Sequence, residues 1–191
     1  MRIATIADEL STIIKARSAN TERFIVAIDG RCSSGKTTLA SALSDRLSAT
    51  LLHMDDFYLP LSRRTESTFS TPAGHIDFER LLSEVISPIL SGDVAHYRPY
   101  LCKTASFGEE RTVEPSGVII LEGSYSHHPV LKKHCDLSVF LRIDKSLQSA
   151  RIQEREGEGA KRFFELWMPR EEDYLNAFSI EASADFVFES K

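Results

Sequence analysis

The segment at residues 30–37 reads Gly-Arg-Cys-Ser-Ser-Gly-Lys-Thr and fits the pattern G-x-x-x-x-G-K-[ST] throughout. Glycines at both ends allow a tight turn, so that successive backbone N–H groups point into one concavity that can hold a phosphate chain. Lys36 adds a positive charge for the β- and γ-phosphates, and the Thr37 hydroxyl can ligate Mg²⁺. The segment therefore predicts a binding site for the phosphates of a magnesium nucleotide.

The flanking residues decide between this interpretation and a chance glycine turn. An apolar run at residues 24–28, typical of a strand buried on both faces, precedes the segment. Residues 37–47 follow with leucines on one helical face. A helix that begins at the loop directs the positive end of its dipole toward the same anion. The strand–loop–helix context favours phosphate binding.

Acidic residues follow two further apolar runs. Asp55 and Asp56 come directly after the run at 50–54, and Glu122 comes directly after the run at 118–121. Ligands of open α/β sheets lie outside the carboxyl ends of the strands, where a carboxylate can accept the proton of an attacking hydroxyl or hold Mg²⁺. The alternatives are a capping or solvated aspartate pair and a turn glutamate. Beside a phosphate loop, these carboxylates favour phosphoryl transfer.

Basic side chains cluster around a late helix that glycines interrupt, and they are Arg151, Arg155, Lys161 and Arg162. Arginine forks on a mobile lid can match the charge that phosphoryl transfer spreads over oxygen atoms. The alternative is a solvated helix face on which these cations pair with Glu154, Glu156 and Glu158.

Helical and extended patterns alternate along the chain. We expect helices at 1–17, 37–47, 77–90, 145–156 and about 161–177, and strands at 24–28, 50–54, 118–121, 137–143 and 186–188. Residues 57–76 are predicted to form a loop, and residues 93–116 carry the mixed extended signals of a hairpin. Strands that alternate with helices predict an α/β three-layer sandwich with a mostly parallel sheet. With no repeat or linker, we expect one domain over residues 1–191, which begins with an N-terminal helix within residues 1–20.

The composition excludes several classes of protein. The chain has 191 residues, 42% of them hydrophobic and 27% charged, which is ordinary for one globular domain. Its formal net charge of −5 argues against nucleic acid or an anionic membrane as a partner. Three scattered cysteines without Cys-x-x-Cys spacing predict neither a disulfide framework nor a zinc site, and they favour a cytoplasmic location.

Residues 29–38, together with Asp55-Asp56-Phe57-Tyr58 and Glu122-Gly123, resemble the motifs of the uridine kinase and phosphoribulokinase group of P-loop kinases. The likeness runs from about residue 24 to residue 188. It implies a nucleoside/nucleotide-kinase-like P-loop fold with a helical lid at about 151–165 and the cofactors ATP and Mg²⁺. It also implies a phosphotransferase with an alcohol group as acceptor, most simply the 5′-hydroxyl of a nucleoside such as uridine or cytidine.

The resemblance also implies roles for individual residues. The catalytic set is Asp55 as base with Lys36 and Arg155. The nucleotide-binding set is Gly30, Ser33, Ser34, Gly35, Lys36, Thr37, Thr38 and Arg151. The metal ligands are Thr37, Asp55 and Glu122, and the substrate-binding residues are Asp77, Tyr97 and Arg98.

The sequence departs from the group's pattern at Arg98 and Pro99, and Ile152 stands where an arginine on the nucleoside side is expected. Another nucleoside or a different small alcohol is therefore an alternative acceptor. The rival from another class is a nucleotide-dependent switch or assembly ATPase. No Asn-Lys-x-Asp guanine motif is present, which weakens a GTPase version of it. A binding module without catalysis is a third alternative, although the phosphate loop, Asp55 and Glu122 are all present. The sequence leaves the oligomeric state open, with a homo-oligomer among the possibilities.

Overall fold

The computed structural model describes all residues from 1 to 191. Its strands are β1 (Arg23–Gly30), β2 (Thr50–His53), β3 (Ala95–Tyr97), β4 (Tyr100–Leu101), β5 (Ser106–Phe107), β6 (Arg111–Val113), β7 (Gly117–Glu122), β8 (Leu137–Arg142) and β9 (Phe186–Glu189). Five of them form a sheet in the order β2-β7-β1-β8-β9, in which every neighbouring pair is parallel. Parallel neighbours require crossover connections, which the helices supply.

The helices are α1 (Ile3–Ser18), α2 (Lys36–Leu47), α3 (Glu66–Ser70), α4 (Phe78–Leu81), α5 (Ser87–Ser91), α6 (Pro129–Lys132), α7 (Lys145–Glu156), α8 (Ala160–Arg162) and α9 (Met168–Ala177). A π-helical turn at Leu82–Ile86 joins α4 to α5, and another at Phe163–Trp167 joins α8 to α9. None of these helices is both long enough and apolar enough to cross a membrane.

The central sheet separates two apolar layers. Ile25 and Ile119 pack into one cluster, whereas their chain neighbours Val26 and Ile120 pack into the other. This alternation follows from the two-residue period of a strand, and burial on both faces explains why β1 and β7 contain unbroken apolar runs at 24–28 and 118–121. The predicted α/β class with a parallel central sheet and helices around it is confirmed.

The segment at 93–116 forms two small antiparallel pairs, β3 with β6 and β4 with β5, as expected for a hairpin region. The prediction of a loop over residues 57–76 was wrong in part, because a 3₁₀ turn at Leu61–Arg63 and the short helix α3 lie within it. Thr65 caps α3 by accepting a hydrogen bond from Thr68 N at 3.2 Å, while Thr65 N donates to the Thr68 hydroxyl at 2.8 Å. These hydrogen bonds stabilise the first turn of α3. Most helices are recognised in a sequence by the periodic spacing of their apolar residues, and α3 lacks that pattern.

Residues 145–177, here called the late helical segment, run from α7 to α9. Asp144 caps its start by accepting hydrogen bonds from Ser146 N at 2.8 Å and Leu147 N at 3.3 Å. Gly157, with φ of +54°, ends α7. A 3₁₀ turn at Gly157–Gly159 then leads into α8. The segment therefore bends at the predicted glycines.

Candidate active site

The loop between β1 and α2 has a backbone that glycine alone allows at its first position. Gly30 has a φ of +145°, and a Cβ atom there would lie 2.3 Å from the carbonyl oxygen of Leu141 on β8. Gly35, with φ of +95°, precedes the first residue of α2. One end of the loop therefore packs closely against the sheet, and the other end leads into the N-terminus of α2. This arrangement directs several backbone N–H groups toward a bound anion.

Lys36 is buried and has partners of its own. Its ammonium group donates to the carbonyl oxygens of Gly30 at 2.7 Å and Arg31 at 3.0 Å. The side chain thus folds back along the loop and keeps its charge close to the position where phosphates would lie.

One cleft of about 1380 Å³ lies against this loop. Nine of the predicted site residues line it: Ser33, Gly35, Lys36, Thr37, Thr38, Asp55, Glu122, Arg151 and Arg155. Gly30 and Ser34 lie buried behind the loop surface. Asp77, Tyr97 and Arg98 are not among the lining residues.

Two of the carboxylates that line the cleft, those of Asp55 and Glu122, are held differently. Glu122 is buried; its oxygens lie 3.3 and 3.4 Å from the Thr37 hydroxyl, and one lies 2.5 Å from Nδ1 of His53. The hydrogen bond with Glu122 raises the pKa of His53. Asp55 is open to the water of the cleft but has protein on most sides. That partial desolvation, followed by the negative charge of Glu122, raises its pKa, while Lys36 opposes the rise.

The donor set of the cleft suits a magnesium ion. Thr37 and Glu122 present a hydroxyl and a carboxylate within hydrogen-bonding distance of one another, and Asp55 lines the same cleft. Mg²⁺ prefers such oxygen ligands. No group of three or more His, Cys, Asp or Glu side chains is arranged to hold a metal ion. An ion bound here would therefore share its coordination with the hydroxyl, water and the nucleotide phosphates.

Asp56 is committed to a structural contact. Its Oδ2 atom accepts hydrogen bonds from the Tyr97 hydroxyl at 3.0 Å and from Arg111 at 2.7 Å. The buried Tyr97 ring also stacks on Phe57 with ring centroids 5.0 Å apart. These contacts fasten the β3–β6 pair to the turn after β2.

The other two residues predicted to bind the substrate also have structural partners. Asp77 is 3% exposed, caps α4 by accepting from Arg80 N at 3.2 Å, and pairs with Arg63 at 2.7 Å. Arg98 donates through Nε to the carbonyl oxygen of Gly108 at 2.7 Å and lines a separate, smaller pocket. The structure does not bring Asp77, Tyr97 and Arg98 into the cleft, and their substrate-binding role stays a prediction.

The arginines of the late helical segment reach the loop. Arg151 donates to the carbonyl oxygen of Ser33 at 3.1 Å, and Arg155 lies 3.4 Å from Sγ of Cys32. Arg155 also pairs with Glu156 at 2.6 Å. Lys161 instead fits the alternative prediction of a solvated helix face, because it is exposed and lies 3.7 Å from a carboxylate oxygen of Glu165.

Sequence analysis missed several residues of the site. Glu171 of α9 accepts a hydrogen bond from Cys32 N at 2.8 Å, and Ser124 donates to it at 2.7 Å. Its signal was available, because Tyr174 and Leu175 follow at the i+3 and i+4 positions and place Glu171 on the buried face of the helix. Aromatic side chains of the cleft were also missed, and these are Tyr58, Tyr125, Phe163 and Trp167.

Comparison with known proteins agrees with this geometry. The model of the phosphoribulokinase / uridine kinase family matches residues 25–178. A protein of Bacillus stearothermophilus described as a possible uridine kinase is 25% identical with a TM-score of 0.74, over 95% of this chain and 96% of that chain. A candidate fructose transport system kinase from Silicibacter sp. TM1040 is also 25% identical, with a TM-score of 0.68 over 98% of this chain and 99% of that chain.

Phosphoribulokinase from Rhodobacter spheroides shares 14% identity with a TM-score of 0.60, over 88% of this chain and 70% of that chain, and at that identity it supports the fold alone. The central sheet, the phosphate loop and the extent of the family match agree with one another. The chain belongs to the phosphoribulokinase/uridine kinase family of P-loop kinases.

Proposed function

We propose that the protein is an ATP- and Mg²⁺-dependent kinase that transfers the γ-phosphoryl group to a hydroxyl of a small molecule, with a nucleoside as the first candidate acceptor. The observation that carries this proposal is the single cleft that holds Lys36 and Thr37 of the phosphate loop together with Asp55 and Glu122. A phosphate-binding loop alone would suit any nucleotide-binding protein. A carboxylate in the same cleft adds a base for an incoming alcohol.

In the proposed reaction, the loop amides and Lys36 hold the β- and γ-phosphates, while Thr37 and Glu122 hold Mg²⁺. The ion supplies positive charge that neutralises the phosphate oxygens. Asp55 accepts the proton of the acceptor hydroxyl while the hydroxyl oxygen forms a bond to the γ-phosphorus. The bond between the γ-phosphorus and the oxygen that bridges it to the β-phosphate breaks, and ADP is released. The raised pKa of Asp55 makes it a stronger base than an ordinary aspartate.

Arg151 and Arg155 line the cleft beside the loop. Arg155 pairs with Glu156, and the other acceptors of the two arginines, Ser33 O for Arg151 and Cys32 Sγ for Arg155, are uncharged. Neutral acceptors of this kind are weaker than phosphate oxygens for a guanidinium group. We propose that both arginines exchange these partners for nucleotide phosphates. The late helical segment then acts as the lid over the reaction.

A nucleoside acceptor is supported by the family and by the structural neighbour described as a possible uridine kinase. The aromatic side chains of Tyr58, Tyr125 and Trp167 that line the cleft also suit an acceptor with a ring. A non-nucleoside alcohol is the second candidate, because Tyr97 and Arg98, which the resemblance assigns to the nucleobase, lie outside the cleft. The neighbour named for a fructose transport system kinase points in the same direction.

The test is to incubate the full-length chain with MgATP and a panel of nucleosides, sugars and other small alcohols, following ADP release and the mass of the product. ADP release that depends on one acceptor, with a product heavier by one phosphoryl group, supports the proposal. Lys36→Ala serves as the control and should lower both nucleotide binding and turnover. ATP hydrolysis that no acceptor changes and that a partner protein stimulates would favour the switch ATPase instead.

A further inference from the structure

Three consecutive residues of the phosphate loop are held from outside by the late helical segment. Arg31 pairs with Glu172 of α9 at 2.6 Å, and Cys32 N donates to both carboxylate oxygens of Glu171, at 2.8 and 2.9 Å. Ser33 O accepts from Arg151 of α7 at 3.1 Å. Residues near both ends of the segment therefore contact the loop, and Arg151 and Glu171 line the same cleft as Lys36 and Thr37.

Glu171 has the most confined position among these contacts. It is 4% exposed, and it accepts a third hydrogen bond, from the Ser124 hydroxyl at 2.7 Å. The same hydroxyl lies 3.3 Å from the carbonyl oxygen of Gly30, which also accepts from Lys36 at 2.7 Å. Glu171, Ser124 and Lys36 thus form one network around the first turn of the loop.

A buried carboxylate at this position needs a physical reason. Moving a carboxylate out of water is costly unless hydrogen bonds and a nearby countercharge compensate, and an apolar side chain would fill the same space without that cost. Burial raises the pKa of Glu171, whereas the charge of Lys36 and the bonds from Cys32 and Ser124 oppose the rise. What the carboxylate adds over an apolar residue is two acceptor oxygens for the amide of Cys32, at the wall of the cleft.

We propose that Glu171 is a positioning residue for the phosphate loop: by holding the Cys32 amide, it sets the loop backbone in the conformation that binds nucleotide phosphates. The inference rests on the proposed function in one respect, since the loop must bind a nucleotide. It predicts that Glu171 governs nucleotide affinity and leaves the affinity for the acceptor unchanged.

The test compares Glu171→Ala and Glu171→Gln in the full-length chain, with MgADP binding measured by calorimetric titration and with the KM of ATP and of the acceptor. Losing hydrogen bonds to a buried charged group corresponds to a loss of about 10- to 100-fold in affinity, so Glu171→Ala should raise the Kd of MgADP by that factor. Glu171→Gln keeps the shape and an acceptor for Cys32 N, and should bind MgADP within about threefold of wild type. Asp173→Ala, which alters an exposed carboxylate on the same helix, is the matched control and should change nothing.

If Glu171→Ala does not fold, Glu171→Asp replaces it, because the shorter side chain keeps the charge but draws back from Cys32. Weak MgADP binding by Glu171→Asp beside normal binding by Glu171→Gln would support the proposal. A folded Glu171→Ala or Glu171→Asp variant that binds MgADP within twofold of wild type would overturn it, as would a Glu171→Gln variant as impaired as Glu171→Ala. If wild type itself fails to bind MgADP at millimolar concentration, the proposed function fails first.

Discussion

The Tyr97 hydroxyl donates to Oδ2 of Asp56 at 3.0 Å, and this bond separates the roles of two adjacent aspartates. Asp55 and Asp56 lie in the 3₁₀ turn Met54–Phe57, where successive side chains are about 120° apart. Asp55 consequently lines the cleft beside the phosphate loop, while Asp56 fastens β3 and β6.

Replacing Asp55 by Asn should lower kcat by about 10²- to 10⁴-fold, the usual contribution of a general base, and should leave MgATP binding largely intact. Steady-state kinetics on the true acceptor and a nucleotide titration check the two parts. Asp56→Asn is the matched control: we expect it to lower the free energy of unfolding by about 1–3 kcal/mol with kcat nearly unchanged. Full turnover by Asp55→Asn would show that the base lies elsewhere.

Replacing Glu122 by Gln should raise the Mg²⁺ concentration for half-maximal activity by about tenfold, because an amide oxygen is a weaker ligand for a hard cation than a carboxylate. A magnesium titration at saturating ATP measures this. Glu84→Gln is a suitable control, since Glu84 lies outside the cleft and pairs with Arg80. An unchanged magnesium requirement in Glu122→Gln would remove Glu122 from the proposed metal site.

Replacing Gly30 by Ala should destabilise the fold by about 3 kcal/mol or more and abolish nucleotide binding, since the new Cβ would meet the Leu141 carbonyl oxygen at 2.3 Å. Chemical denaturation and MgADP titration measure the two effects. Gly117→Ala is the control, because Gly117 also has a positive φ, +80°, but nothing lies within 4 Å of its added Cβ. We expect Gly117→Ala to cost only about 1–2 kcal/mol. Equal costs for the two variants would contradict the close packing of the loop on β8.

His75 should make stability depend on pH. It is 1% exposed among the rings of Tyr58, Phe69, Tyr125 and Trp167, and burial lowers its pKa from 6.5 to about 4. The unfolded chain therefore binds a proton to His75 at a higher pH than the folded chain does. As a result, the free energy of unfolding should fall as the pH drops from 6.5 to about 4, by roughly 3 kcal/mol from this residue.

Denaturant unfolding of wild type and His75→Phe at several pH values between 7 and 4 measures this contribution as a difference. Carboxylates titrate in the same range, but they do so in both proteins and cancel. If the free energies of unfolding of wild type and His75→Phe fall by the same amount as the pH drops, protonation of His75 does not cause the pH dependence of stability.

The parallel core was predictable because its strands are buried on both faces. Residues 24–28 and 118–121 appear as unbroken apolar runs, and such runs are typical of strands buried on both faces. The loop at 30–37 was predictable for a different reason, since glycine spacing, lysine and threonine are local requirements of one function. The short helix α3 was missed because four of its five residues are polar and its first turn is held by a threonine cap.

Contacts between distant segments were not accessible in the same way. The resemblance assigned Asp77, Tyr97 and Arg98 to the substrate, but their partners Arg63, Asp56 and Gly108 become apparent only after folding. Glu171 lies 139 residues from Cys32 along the chain, and an acidic helix residue ordinarily faces water. In the run Glu171-Glu172-Asp173, the one local indication of which carboxylate faces the interior is the pair of apolar residues three and four positions after Glu171.

The carbonyl partners of Lys36 have a consequence for which anions the loop can capture. An ammonium group that already donates to Gly30 O and Arg31 O is not an open positive charge waiting for any negative ion. An anion that binds Lys36 has to compete with these two carbonyl oxygens. A chloride ion or a single carboxylate offers the ammonium group little in exchange, whereas a polyphosphate chain brings several charged oxygens at once. We therefore expect the loop to bind a polyphosphate chain in preference to chloride or a single carboxylate.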